Sequence, residues 1–167
     1  AEKIINNAKI FTNLNKAISN YDLVIATSNR KRFLSKESYD NFDILKKKIS
    51  NCKNVAILFG PENSGLTNQD LRLANFIFTI PTAKINRSLN LSHAVSLISH
   101  ELFSIGKIST KKINTLKNEK VSKGDLGNFI NILTNDLDLR GFFKPIEKKE
   151  SMIDNIYSIY NKIDLSK

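Results

Sequence analysis

Short apolar runs divide this chain, and most of them break into small, polar or glycine-rich residues. The clearest are Leu23–Ala26, Val55–Phe59 and Phe76–Ile80, each the length of a buried strand and too short for a buried helix. Residues 1 to 19 mix periods. They predict a short helix, a brief strand near Lys9 to Phe11, and a second helix from about Asn13 to Ser19. Between the strands the spacing turns helical. Phe42, Leu45 and Ile49 form one stripe in a helix predicted over Lys36 to Ser50, with Lys46, Lys47 and Lys48 beside it. Thr67-Asn68-Gln69-Asp70 has the form of a capping box and opens another helix. Leu91, Ala94, Val95, Ile98, Leu102 and Ile105 predict a well-buried amphipathic helix from Asn90 to about Ile105. Farther on, Leu126, Phe129, Ile130, Leu133 and Leu137 mark a helix ending near Gly141. A last helix carries Met152, Ile153, Ile156, Ile159, Tyr160 and Ile163. Strands alternating with helices predict an α/β fold with a parallel sheet.

The lysines change character along the chain. Lys107, Lys111, Lys112, Lys117, Lys120 and Lys123 crowd one stretch that ends at Gly124. This pattern predicts a core unit over residues 1–106, a basic link over 107–125, and a two-helix extension over 126–167. The extension has little core of its own, so it must pack on the first unit or on a second subunit.

Composition adds one strong constraint. Twenty-six Lys and Arg against sixteen Asp and Glu give a net charge of +10, which favours a polyanionic partner such as RNA. The lysines come with an Asn- and Ile-rich composition, so part of the charge reflects a bias spread over the whole chain. With no Trp in the sequence, a base-stacking platform is not indicated. The single cysteine, Cys52, excludes an intramolecular disulfide and a cysteine-based zinc site. His93 and His100 lie about two helical turns apart, too distant for one metal. No apolar run reaches the roughly 20 residues that cross a bilayer, and no secretory signal opens the chain, so a cytoplasmic protein without membrane contact is expected.

The candidate chemistry sits at two strand ends. Phe59-Gly60-Pro61-Glu62-Asn63-Ser64-Gly65-Leu66-Thr67 places glycines and a hydroxyl where a phosphate-binding loop needs them. Leu66, however, takes the position of the lysine that would reach the phosphates, and Glu62 puts a carboxylate among them. A neutral or cationic ligand suits the loop better, because Gly60 and Gly65 allow close backbone approach and a glutamate tolerates a nearby positive charge. S-adenosylmethionine, with its sulfonium, is such a ligand. The first strand ends in Thr27-Ser28-Asn29-Arg30-Lys31-Arg32, small polar groups that can line a crevice, followed by cations that can meet RNA phosphates.

Gly60-x-Glu62-x-x-Gly65-Leu66 after a strand, then Ile80-Pro81-Thr82 and Ser88-Leu89-Asn90-Leu91-Ser92, resemble the second and third motifs of the SpoU-type RNA ribose 2′-O-methyltransferases of the SPOUT superfamily. Ala26-Thr27-Ser28-Asn29-Arg30-Lys31-Arg32 is similar to a segment of that family's TrmJ branch, and the tail with Leu126, Phe129, Gly141, Phe142, Pro145 and Met152 is similar to its helical extension. The resemblance implies a parallel sheet flanked by helices, threaded into a trefoil knot, with a C-terminal helical extension. It implies S-adenosylmethionine as cofactor, held by Thr27, Ser28, Asn29, Gly60, Ile80, Arg87, Ser88, Leu89 and Asn90. Glu62 and Ser88 are the candidate catalytic residues. Asn90 and Glu62 match positions that brace the loops, and Arg30, Lys31 and Arg32 are candidates for RNA contact. The resemblance further implies a homodimer acting on tRNA, at a pyrimidine ribose in the anticodon loop, or on rRNA.

One departure stands against this picture. The family's first motif carries the arginine that acts on the ribose hydroxyl, and no residues here match it. The expectation is a fragment with reduced or no activity and an exposed sheet edge. The alternative is a shortened relative that serves as a non-catalytic RNA-binding or dimerisation module. The intact cofactor loops argue against a pure binder, which has no need of them.

Overall fold

The computed structural model describes residues 2–30, 36–83, 89–108, 120–163 and 165. Four parallel strands, β1 (Leu23–Thr27), β2 (Ser38–Tyr39), β3 (Val55–Leu58) and β4 (Phe76–Phe78), form one sheet in the order β2-β4-β1-β3. The central strand β1 pairs Leu23 with Val55 on one side and Ile25 with Phe76 on the other. Its residues Leu23 to Ala26 are all buried, as expected of a parallel strand covered on both faces.

The side chains of β1 alternate between two cores. Val24 and Ala26 pack with Ile18, Leu66, Leu71, Ala74 and Ile77, under helices α2 (Leu14–Ile18) and α4 (Asn68–Leu73). Leu23 and Ile25 face the other way, packing with Leu45, Phe76, Phe78 and Ile98 under α3 (Phe42–Ser50) and α5 (Leu91–Ile108). This is a parallel sheet flanked by helices.

Several local expectations hold. In α4 the Thr67 side chain accepts from the Asp70 amide while the Asp70 carboxylate accepts from the Thr67 amide, so the capping box is complete. Phe42, Leu45 and Ile49 all pack into the second core. Leu66 is buried in the first core, so the chain at the missing phosphate-loop lysine turns inward, away from any ligand.

Other expectations fail for identifiable reasons. A short helix, α1 (Glu2–Asn6), opens the chain, but no strand forms at Lys9 to Phe11, where Ile10 is 98% exposed. Among the described residues no strand pairs with them, and a lone strand leaves its backbone groups unsatisfied by the protein. The helix expected from Lys36 begins only at Phe42. Asn41 caps it by accepting from the Asp43 amide at 2.7 Å. The residues before it are taken by the sheet, where Ile77 donates to the Glu37 carbonyl and Thr79 to that of Tyr39.

Helix α5 is also less covered than its spacing implies. Ile98 is buried, yet Val95, Leu97 and Phe103 are exposed at 39%, 44% and 65%. Its apolar residues spread over more than one face, and the sheet covers only one of them.

The last two helices, α6 (Lys123–Leu139) and α7 (Lys149–Lys162), pack on the first part of the chain. The Lys123 amide donates to the Tyr21 carbonyl and the Gly124 amide to that of Ser19, each at 2.9 Å. A side chain on Gly124 would bring its Cβ to 3.1 Å from the Ser19 carbonyl oxygen. From α4, Arg72 reaches Glu150 and Asp154 of α7, each at 2.7 Å. Most of the proposed basic link, residues 109–119, lies outside the described residues.

Candidate functional site

Strands β1, β3 and β4 all end on the same side of the sheet, and the segments that follow them enclose a cleft of about 370 Å³. The first wall is Thr27-Ser28-Asn29-Arg30. The second is Phe59 to Glu62 with Gly65, and the third comprises Ile80, Leu89, Leu91 and Ala94. The cleft opens at the carboxyl ends of parallel strands, where open α/β sheets hold their ligands.

Cross-strand hydrogen bonds fix these walls to one another. The Thr27 hydroxyl donates to the Leu58 carbonyl at 2.7 Å, tying β1 to the end of β3. The Thr79 hydroxyl donates to the Ser28 carbonyl at 2.8 Å, and the Ser28 amide donates to that of Phe78. Thr27 therefore lines the cleft with its hydroxyl proton already committed. Arg30 spans the two loops, with its guanidinium 3.4 Å from the Asn63 carbonyl.

The second wall depends on two glycines. Gly65 has φ +65°, the left-handed region, and its amide closes a turn onto the Pro61 carbonyl at 2.7 Å. That turn presses the Gly65-Leu66 backbone against Gly60. A Cβ on Gly60 would stand 2.3 Å from both the Gly65 carbonyl carbon and the Leu66 nitrogen. Gly60 is thus required by the loop's own closure, and Leu66, buried in the core, anchors that closure from below.

Of the residues expected from the sequence, Thr27, Ser28, Asn29, Gly60, Ile80 and Leu89 all line the cleft, together with Glu62 and Arg30. Glu62 sits at the exposed rim. Asn90 is exposed and its carbonyl accepts from the Ala94 amide, so its backbone starts α5. Ser88 and Arg87 of the third loop, and Lys31 and Arg32 of the first, lie outside the described residues. Phe59, Phe78, Leu91 and Ala94 also line the cleft and were not foreseen. Their signal was available: each stands at the last residue of a strand, just beyond it, or in the first turn of the helix that follows the third loop.

The lining has a definite chemical character. Its base is apolar and its polar groups are mostly backbone and small side chains, with one carboxylate and one guanidinium at the mouth. Among the described residues, no group of three or more His, Cys, Asp or Glu side chains could hold a metal ion. No helix among them is long and apolar enough to cross a membrane.

Comparison with known proteins agrees with this geometry. Residues 1–100 match the model of the SpoU rRNA Methylase family. The chain is similar to the tRNA (cytidine-2′-O-)-methyltransferase TrmJ of Methanocaldococcus jannaschii, with 30% identity over 91% of this chain and 63% of that protein. It is also similar to the tRNA (cytidine/uridine-2′-O-)-methyltransferase TrmJ of Photorhabdus laumondii, with 38% identity over 61% of this chain and 43% of the other. Among solved structures, TrmJ from Z. mobilis ZM4 superposes with a TM-score of 0.86 at 26% identity, covering 99% of this chain and 70% of that one. The chain spans 43% and 63% of the lengths of these two sequence relatives.

Proposed function

Because this chain belongs to the SpoU rRNA Methylase family, we propose that it binds S-adenosylmethionine in the strand-end cleft and serves the 2′-O-methylation of RNA. The observation that carries the reading is the Gly60–Gly65 closure, which leaves a backbone-walled, largely apolar cleft, while Leu66, turned into the core, argues against a phosphate loop. Apolar side chains such as Ile80 and Leu89 suit a nucleoside base, and backbone groups at the strand ends suit its polar edges. Glu62 at the rim tolerates a positive charge. Two relatives are named as tRNA methyltransferases acting on cytidine, or on cytidine and uridine, so tRNA is the proposed substrate and a pyrimidine ribose in its anticodon loop the proposed target.

S-adenosylmethionine supplies an electrophilic methyl group when bound. The chain's own contribution is alignment, since holding reactants in line accounts for about 7–11 kcal/mol of a barrier in favourable cases. The loops tied by Thr27 and Thr79 fix one side of the cleft, and the loop closed at Gly60 fixes the other. Ser88 is proposed to orient the cofactor and Glu62 to brace the loop or take part directly. Arg30, with Lys31 and Arg32, is proposed to meet RNA phosphates. The described residues bring no guanidinium but that of Arg30 to the cleft, so stabilisation of the developing ribose oxyanion is expected to need a group beyond those described.

The exposed Val95 on α5, one turn beyond Leu91 in the cleft wall, supports a homodimer formed next to the site. The rival reading, an RNA-binding module without chemistry, is separated by titration calorimetry. Saturable binding of S-adenosylmethionine or its demethylated product to the folded chain supports the proposal, and its absence at millimolar ligand overturns it. Tritiated-methyl transfer to tRNA then separates cofactor binding from turnover. Transfer is expected to be weak, because among the described residues only Arg30 brings a guanidinium to the cleft.

A further inference from the structure

A second cavity, of about 310 Å³, lies at the opposite end of the sheet, where β1 and β4 begin at Leu23 and Phe76. Four lysines line it: Lys48, Lys120, Lys123 and Lys162. Among the described residues only two carboxylates join them, and both already accept hydrogen bonds. Asp22 takes the Lys53 and Asn54 amides at 3.0 Å each, and Glu37 takes the Tyr39 hydroxyl at 2.6 Å.

Lys123 is the unusual member, 9% exposed in the first turn of α6. Among the described residues its amine has one acceptor, the Asn161 side-chain carbonyl. An ammonium carries three donors, so two are left without an acceptor among the described residues. Asn161 cannot help further, because its amide nitrogen donates to the Arg72 carbonyl at 3.1 Å. That same carbonyl also accepts from Lys36 at 3.0 Å, which brings a second partly buried lysine behind the first. On the other side, Lys48 rests over the rings of Tyr39 and Phe76 at 4.7 and 5.2 Å. Burial, and then the neighbouring Lys36, push the Lys123 amine down to about 7, and burial pushes Lys36 down to about 8.

We propose that this cavity is a binding site for a small phosphate-type anion, clamped by Lys123 with Lys48 and Lys162 and separate from the strand-end cleft. Excess lysines, carboxylates already engaged, and a buried amine short of acceptors are all relieved by one anion. The recessed position of Lys123 favours a free phosphate or small phosphomonoester over the backbone of a folded RNA. Binding would recharge Lys123, because the anion supplies the acceptors and opposite charge that burial withholds.

Calorimetry with inorganic phosphate, run at pH 8 in two buffers of different ionisation enthalpy, tests the site. Saturable binding near one phosphate per chain, with uptake of a fraction of a proton that fades as the pH drops below about 6, is expected. Lys123→Met should weaken binding at least about tenfold, as expected for loss of a charge-assisted contact, and abolish the proton uptake. If that variant fails to fold by circular dichroism, Lys48→Ala should weaken binding about threefold with the fold intact. Absence of saturable binding at millimolar phosphate, or binding without proton uptake, overturns the proposal. So does displacement of the phosphate by an RNA stem-loop, which would assign the lysines to the RNA backbone.

Discussion

At the carboxyl ends of the strands the cleft is walled by backbone: Gly60 against Gly65, and threonine hydroxyls spent on the Leu58 and Ser28 carbonyls. At the opposite end the cavity is walled by charge, with a buried lysine amine, a second lysine behind it and a third over two aromatic rings. The first end recognises shape and the edges of a ligand, and it tolerates little change in its main chain. The second holds its groups on long side chains and responds to pH. One sheet thus carries a site whose weak point is steric and a region whose weak point is electrostatic.

Gly60→Val should break the first end most completely. A Cβ 2.3 Å from the opposing backbone forces the loop apart. Affinity for S-adenosylmethionine should fall about a hundredfold or more, a loss of about 3 kcal/mol readable by calorimetry. Gly65→Ala sharpens the point. Nothing lies within 4 Å of its added Cβ, so only the φ of +65° opposes it. Its cost should be about 1–2 kcal/mol in folding stability, with cofactor binding weakened less than by Gly60→Val.

The sequence made the first end legible and hid the second. Glycine spacing, a leucine in place of a lysine and strand-end position are local signals, and the resemblance to the SpoU-type motifs added Thr27, Ser28, Gly60, Ile80 and Leu89, which all line one cleft. The cavity at the other end joins residues remote along the chain, such as Asp22, Lys48, Lys123 and Asn161. No periodicity links them. Lys123 read as one more cation of a basic link, and it is buried where α6 packs on the end of α2 and its amine meets Asn161 of α7. The apolar run at Ile10-Phe11 misled for a related reason, because a strand pattern does not say whether a paired strand lies beside it, and none does among the described residues.

The next largest effect is expected at the joint between α4 and α7. The Arg72 and Asp154 side chains are 15% and 19% exposed, and they meet at 2.7 Å as a charge pair without good hydrogen-bond alignment. Arg72→Met should destabilise the fold by on the order of 2–3 kcal/mol, measured by urea unfolding, because it strands a partly buried carboxylate. Adding Asp154→Leu should return part of that loss. No recovery would show that Arg72 acts mainly through its packing on Tyr157 and its pairing with Glu150.

Stability should also depend on pH through the buried lysines. Their folded-state values of about 7 and 8 lie below the ordinary lysine value of 10.5, so between these limits the unfolded chain binds more protons than the folded one. Stability must therefore rise with pH across that window. A gain on the order of 3–4 kcal/mol between pH 7 and pH 9 is expected in denaturant titrations, and Lys123→Met should remove more than half of it, leaving the share of Lys36. A flat profile in the unmodified chain would mean that water reaches the Lys123 amine, which would blur the contrast between the two ends.

Arg30 offers the smallest and most discriminating test, since it lines the cleft while remaining exposed. Among the described residues its guanidinium makes one long approach, 3.4 Å to the Asn63 carbonyl, and its amide donates to the Ser28 hydroxyl at 3.3 Å. If its role is to meet an RNA phosphate, Arg30→Ala should weaken RNA binding about two- to threefold at moderate salt. The slope of log affinity against log salt should also fall by about 1, as expected for one lost phosphate contact. Cofactor affinity should not move, because the cleft walls are fixed by Thr27, Thr79 and Gly60 rather than by the guanidinium. A loss of cofactor affinity with an unchanged salt slope would instead make Arg30 part of the backbone-built pocket, bridging its first two walls.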